Sequence, residues 1–156
     1  MADFTISPPE ASLGHLIELA LGDFQLHRKY TKDMALLCEA QYKWSGTPQE
    51  KKNWDAVQWT SDYAVIYDNP YGAPFVCLFE CDGYQWHSEK SAFERDRKKD
   101  REAAAGGMMV ARFAAVEILQ SPDYVVREIG LILAAFDSHL VYFKQGIEAW
   151  QARASA

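Results

Sequence analysis

Two acidic residues fall on neighbouring segments that the sequence predicts to be strands. Asp62 lies within residues 57–67, where apolar residues alternate, and Glu80 lies near the end of the apolar run 74–81. A turn signal at residues 68–72 joins the two segments, which predicts a hairpin. Because opposed residues of antiparallel strands lie about 5 Å apart, Asp62 and Glu80 are expected to meet. Carboxylates placed together repel each other unless a cation lies between them, and their oxygens suit Mg²⁺ or Mn²⁺.

The residues after this hairpin add groups that can handle phosphate. Asp82 follows directly, Gly83 permits a sharp turn or a close approach of phosphate to the backbone, and His87 can donate to phosphate or move a proton near neutral pH. A polar helix is predicted over residues 88–105. Residues 88–102 hold six basic and five acidic side chains. We expect the cations to face the cleft and the anions to face water.

The other elements follow from hydrophobic spacing and breaker residues. A first helix is predicted from Ser7 to Gly22. The apolar residues between Phe24 and Leu37 fit a second helix, and a strand is possible from Cys38 to Trp44. Residues 45–55 are predicted to form a loop. After the polar helix, a strand is predicted at 108–113, a short helix at 114–119 and a long helix at 121–150 with a possible weak point near Gly146.

The segment from Glu80 to His87, with Asp82 and Gly83 inside it, resembles the signature of a bacterial domain family that is similar to the very-short-patch-repair endonucleases. These enzymes belong to the PD-(D/E)XK, or restriction-endonuclease-like, superfamily. The resemblance covers residues 7–17 and roughly 58–130. Its other matches, at family-like spacing, are Ser7 to Leu13, Asp96, Lys99-Asp100, Gly107, Arg112-Phe113 and Glu117-Ile118.

The resemblance implies an α/β fold with a restriction-endonuclease-like core. That core has a first helix, a central mixed sheet of about four strands and flanking helices, and here a long C-terminal helix follows it. Residues 1–156 would then form a single nuclease-like domain. Its parts are a core at 7–21 and 57–130, an insert at 22–56 and the C-terminal helix at 122–150.

The resemblance also implies roles for individual residues. Asp62 and Glu80 match the two acidic ligands of a metal ion, Mg²⁺ or its substitute Mn²⁺, and the backbone carbonyl of Cys81 would be a third ligand. Glu10 matches a glutamate of the first helix near the site. His87 matches the downstream histidine.

One position departs from the superfamily pattern. Asp82 stands where many members carry the motif lysine. Lys99 on the following helix is the first candidate to replace that lysine, ahead of Lys98 and Arg95. Family members usually have arginine where Lys99 stands.

Composition limits the class of protein. The chain has 156 residues, 49% of them hydrophobic, which suits one domain with a core. We expect a cytoplasmic protein, because the first residues do not resemble a signal peptide and no apolar run is long enough to cross a bilayer. Three cysteines, an odd number, argue against a disulfide framework and favour buried free thiols. The formal net charge of −6 argues against a protein that coats nucleic acid by charge alone.

Three functional hypotheses follow from the sequence. The first is a Mg²⁺-dependent DNA endonuclease or nickase that would need a dimer or two successive nicks to cut both strands. The second is a nuclease fold that no longer cuts and serves as a binding or assembly module. The third is a nuclease subunit that depends on a partner in a larger nucleoprotein complex of DNA repair, defence or mobile elements.

Overall fold

The protein is an α/β structure built on a four-stranded mixed sheet. A computed structural model describes residues 8–46, 58–70, 72–83 and 90–155. The elements in this part of the chain are α1 (Pro8–His27), β1 (Leu36–Ser45), β2 (Gln58–Tyr67), β3 (Phe75–Asp82), α2 (Lys90–Ala105), β4 (Met109–Ala114), α3 (Ala115–Gln120) and α4 (Pro122–Ala154). The prediction of an α/β fold with about four strands and a long C-terminal helix is confirmed.

The strands are arranged in the order β1-β2-β3-β4. β1 pairs antiparallel with β2, and β2 pairs antiparallel with β3, as the predicted hairpin requires. β3 and β4 are parallel, and the chain runs between them through α2. Parallel neighbours need such a crossover, because the chain must return to the same end of the sheet before the second strand begins.

Helices cover both faces of the sheet. On one face, Ile17 of α1 and Leu133 of α4 belong to the same buried cluster as Val65 and Phe79 of the sheet. On the other face, Ala103 of α2 packs in a second cluster with sheet residues. The apolar run of β3 is buried on both sides, which explains why it does not alternate with polar residues.

Two predictions about the N-terminal third were wrong. α1 does not end at Gly22 but continues to His27, because Phe24 is buried in the core and one helical glycine costs only about 1 kcal/mol relative to alanine. The second helix between Phe24 and Leu37 does not form, since the first residues of that stretch complete α1 and Leu36 begins β1. The possible strand at 38–44 is confirmed. The segment predicted as an insert therefore supplies one strand of the sheet.

The later elements match their predictions closely. α2, β4 and α3 begin and end within a few residues of the expected positions. α4 runs without a break past Gly146 to Ala154. No helix in the described ranges has the length and apolar character needed to cross a membrane.

A buried carboxylate fastens α4 to the connection between α1 and β1. Asp137 accepts backbone N–H groups from Lys29 at 3.3 Å, Tyr30 at 3.1 Å and Thr31 at 2.8 Å. The Thr31 hydroxyl also donates to it. These bonds satisfy one buried and two part-buried backbone donors, so they hold the connection in one conformation.

Candidate functional site

The sheet divides into a fork between β2 and β3. The β2–β3 pairing ends at Tyr63 and Phe79. Beyond this pair, Ser61 of β2 still pairs with β1, whereas Glu80 of β3 pairs with Arg112 of β4. The two arms therefore separate, and polar groups of both arms face the space between them.

Asp62 lies where the fork begins. In a regular strand, residues an even number of positions apart lie on the same face of the sheet. Trp59 and Tyr63 are four positions apart, yet Trp59 packs on the α2 side of the sheet and Tyr63 packs on the opposite side. The β1 register places Asp62 opposite Gln41, whose φ of 51° is left-handed, and neither residue joins the paired ladder. Asp62 thus occupies an irregular point of the sheet at which the alternation of β2 reverses.

The Asp62 carboxylate takes the place of a ladder hydrogen bond across the fork. Its Oδ2 accepts the backbone N–H of Cys81 at 2.7 Å. The pKa of Asp62 is raised to about 6: burial is the largest cause and the charges of Glu80 and Glu10 add to it, while the Cys81 N–H and Lys99 act in the opposite direction. Asp62, Glu80 and Glu10 therefore influence one another electrostatically.

Lys99 of α2 joins the two arms of the fork. Its Nζ donates to Glu80 Oε1 at 2.5 Å and to the Thr60 carbonyl oxygen at 2.7 Å. Both charged side chains are largely buried, with exposed fractions of 12% for Lys99 and 8% for Glu80. Charges removed from water in this way are costly unless they are paired, which accounts for the close contact.

Only one of the three basic candidates on α2 lies at the fork. Lys98 is exposed. The Arg95 guanidinium lies over the ring of Trp59, 5.6 Å from its centroid. Lys99 is the one that reaches Glu80.

Asp82 faces an arginine beside the fork. Arg112 Nη1 donates to Asp82 at 3.0 Å, and its Nε and Nη2 donate to Asp100 of α2. Burial by itself would lower the pKa of Arg112, but the hydrogen bonds and charges of Asp100, with those of Asp82 and Glu80, raise it overall. Arg112 therefore stays charged and ties α2 to the end of β3.

The expected division of α2 into a cationic inner face and an anionic outer face is wrong in part. Lys99 does line the cavity, but so does Asp96, and Asp100 faces the sheet, where Arg112 of β4 binds it. Glu102 is buried and accepts the indole N–H of Trp59. Asp100 and Glu102 can both face the sheet because a hydrogen-bond donor on a strand satisfies each carboxylate.

A cavity of about 440 Å³ opens at the fork. Asp62 and Glu80 line it, and Phe93, Arg97 and Lys99 of α2 form another wall. Most of this lining is polar or charged, which suits an anionic or strongly hydrated ligand better than an apolar one.

The thiols differ from one another in their surroundings. Cys77 is buried, as predicted, whereas Cys38 is exposed. The pKa of Cys81 is raised to about 11, chiefly by burial and further by the charges of Asp62 and Glu10. The Cys81 thiol therefore stays neutral near pH 7.

His87 lies outside the described residues. Arg112 and Phe93 were not predicted as site residues, although Arg112 was noted as part of the resemblance. Within residues 8–46, 58–70, 72–83 and 90–155, no group of three or more His, Cys, Asp and Glu side chains is arranged to hold a metal ion.

In comparisons with protein-family models, with curated proteins and with solved structures, nothing matches this chain.

Proposed function

We propose that the protein is a metal-dependent DNA endonuclease or nickase with a restriction-endonuclease-like core. The observation that carries the proposal is the convergence of Asp62, Glu80 and Lys99 on one cavity at the fork of the sheet. Two carboxylates and a buried ammonium in one polar cavity match what phosphodiester hydrolysis needs, namely a cation site and a donor to the phosphate.

The donor atoms at the fork fit Mg²⁺ or Mn²⁺. The proposed ligands are the carboxylates of Asp62 and Glu80 and the backbone carbonyl of Cys81, which are all oxygens. Mg²⁺ in proteins is commonly held by one or two carboxylates and keeps several water ligands, so a set of three acidic side chains is not required. The raised pKa of Asp62 also reflects repulsion from Glu80 and Glu10 that a bound cation would relieve.

The proposed mechanism assigns distinct tasks to the residues of the chain. A bound cation would polarise a non-bridging phosphate oxygen and supply a water of lowered pKa as nucleophile. Lys99 would donate from Nζ to the phosphate and offset the negative charge that develops on it, the task of the missing motif lysine. Burial strengthens this interaction, because the effective dielectric constant is lower than in water.

Other side chains would support these groups. Arg112 holds α2 against β3 through Asp100 and Asp82 and so fixes Lys99 relative to Glu80. Asp82 would act through this contact instead of binding the metal. Glu10 would add negative charge beside Asp62, and His87 is proposed as a group that exchanges a proton or donates to phosphate.

One observation favours a second candidate, a binding or assembly module or a subunit that cuts only with a partner. The position of the motif lysine holds Asp82, and its carboxylate is engaged by Arg112. Together with the net charge of −6, this leaves less positive charge for DNA than an independent nuclease commonly presents.

The nuclease proposal is tested by incubating the full chain with supercoiled plasmid and with single-stranded DNA in the presence of Mg²⁺ or Mn²⁺. We expect metal-dependent cutting that Asp62→Ala and Glu80→Ala each abolish. Glu39→Ala removes an exposed carboxylate from β1 and is the matched control, which should cut like the wild type. Cutting that survives both site variants would place the site elsewhere, and absence of cutting by the wild type would favour the second candidate.

A further inference from the structure

We propose that Phe93 and Arg97 form a stacking platform for one unpaired nucleobase next to the fork. The substrate would then be single-stranded or locally unpaired DNA. This inference rests on the nuclease function proposed above and adds to it the class of nucleic acid that the site accepts.

The platform is formed by two residues on adjacent turns of α2. The Arg97 guanidinium lies over the Phe93 ring, 5.2 Å from its centroid. Phe93 is nevertheless 56% exposed. Both residues line the same cavity as Asp62 and Glu80, so a nucleotide whose phosphate enters the fork has its own base or the next one within reach of the ring.

The surroundings of Phe93 distinguish it from an ordinary exposed apolar residue. Single apolar side chains on a surface need no explanation. Phe93, however, belongs to the wall of a polar cavity and keeps a cation over its ring. Nucleic acids combine negative phosphates with flat aromatic faces, and proteins that bind single strands pair basic groups with aromatic rings for this reason.

The need for an unpaired base follows from the structure of the duplex. Within double-stranded DNA, each base already stacks on its neighbours, so its faces are closed to a protein ring unless the base leaves the stack. A single strand, a flap or a mismatch presents such a base at lower cost.

The first test compares binding of a fluorescein-labelled 20-nucleotide single strand and of the matching duplex, followed by anisotropy without divalent cations. We expect the wild type to prefer the single strand. Phe93→Ala should weaken that binding by roughly 5- to 150-fold, as expected for the loss of one stacked base, while Phe93→Trp retains it. Leu131→Ala removes a side chain of equal exposed fraction from α4 and is the control.

A second measurement uses the wild type alone and so does not depend on the folding of any variant. An abasic nucleotide is moved along the single strand, and one position should lower the affinity by a similar factor. If Phe93→Ala folds, its loss of affinity and the loss caused by the abasic nucleotide should not add when the two are combined, because each removes the same stacking contact.

The outcomes separate this inference from the proposal on which it rests. Equal or tighter binding of the duplex by the wild type, unchanged single-strand affinity in Phe93→Ala, or an abasic scan without a sensitive position would each overturn the platform. These results would leave metal-dependent cutting at Asp62 and Glu80 intact. Absence of any metal-dependent cutting by the wild type would overturn the nuclease function itself.

Discussion

Lys99 and Glu80 form a buried ion pair across the fork, with 2.5 Å between Nζ and Oε1. Glu80 sits on β3, and Lys99 reaches it from α2 while also donating to the Thr60 carbonyl oxygen of β2. One ammonium thus satisfies groups on both separated strands. The same ammonium lies beside one of the two carboxylates proposed to hold a cation, so we expect it to influence both the proposed metal binding and the proposed catalysis.

Replacing Lys99 is expected to separate metal binding from cutting. Lys99→Met removes a positive charge next to Glu80, so Mn²⁺ should bind at least as tightly as in the wild type. The phosphate loses its donor, so cutting should fall by about 100-fold or more. Calorimetry and plasmid cleavage measure the two effects, and Lys98→Met, an exposed neighbour, is the control. Full activity of Lys99→Met would refute this role.

The stability of the metal-free protein should depend on pH through Asp62. Its pKa of about 6 lies above the ordinary 3.8, so the folded state binds more protons than the unfolded state between pH 4 and 6. The contribution of Asp62 to stability therefore declines as the pH rises through this window. Relative to the wild type, the free energy of unfolding of Asp62→Asn should therefore increase by about 1 kcal/mol as the pH rises from 4 to 7, allowing for solvent screening. Urea unfolding across this range measures the difference, and a constant difference would contradict it.

Gly14 of α1 is expected to be essential for close packing beside the fork. A Cβ at this position would lie 2.3 Å from the hydroxyl oxygen of Tyr63, whose rigid ring neighbours Asp62. Gly14→Ala should lower the free energy of unfolding by about 1–3 kcal/mol. Gly22→Ala in the same helix meets nothing within 4 Å and should raise it by about 0.5–1 kcal/mol. Equal effects of the two substitutions in denaturant unfolding would show that the contact does not matter.

Asp137 should contribute strongly to stability although it lies away from the fork. Asp137→Ala leaves three backbone donors of the α1–β1 connection without their acceptor, so we expect a loss of about 2–4 kcal/mol. Asp23→Ala removes a carboxylate that is 79% exposed and should have little effect. Thermal unfolding of both variants tests this, and similar midpoints would argue against the anchoring role.

Local patterns predicted much of the fold. The turn signal between β2 and β3 and the apolar run ending at Glu80 located the hairpin, and the double glycine after Ala105 located the end of α2. The helix end predicted at Gly22 failed because the burial of Phe24 outweighed the low helix propensity of glycine. Burial against distant parts of the chain cannot be predicted from a short stretch of sequence.

The site was predicted less completely than the fold. The predicted hairpin placed Asp62 and Glu80 near each other, and both line the same cavity. Lys99 of α2 donates to Glu80 there, and its task in the site stays a prediction. The separation of β2 from β3 on the N-terminal side of Tyr63 was not predicted. It coincides with an irregular point where Gln41 and Asp62, on different strands, leave the paired ladder, and a pattern within one strand does not reveal such a point. The contact of Arg112 with Asp100 joins residues twelve apart through the crossover, and no spacing rule anticipates it.

Asp62 and Glu80 are proposed to share one divalent cation. Calorimetric titration of the wild type, Asp62→Asn and Glu80→Gln with Mn²⁺ tests it directly, since both substitutions preserve side-chain shape. We predict one Mn²⁺ bound per wild-type chain and affinities at least about tenfold weaker in each variant. No binding by the wild type, or equal affinity in all three proteins, would contradict the claim.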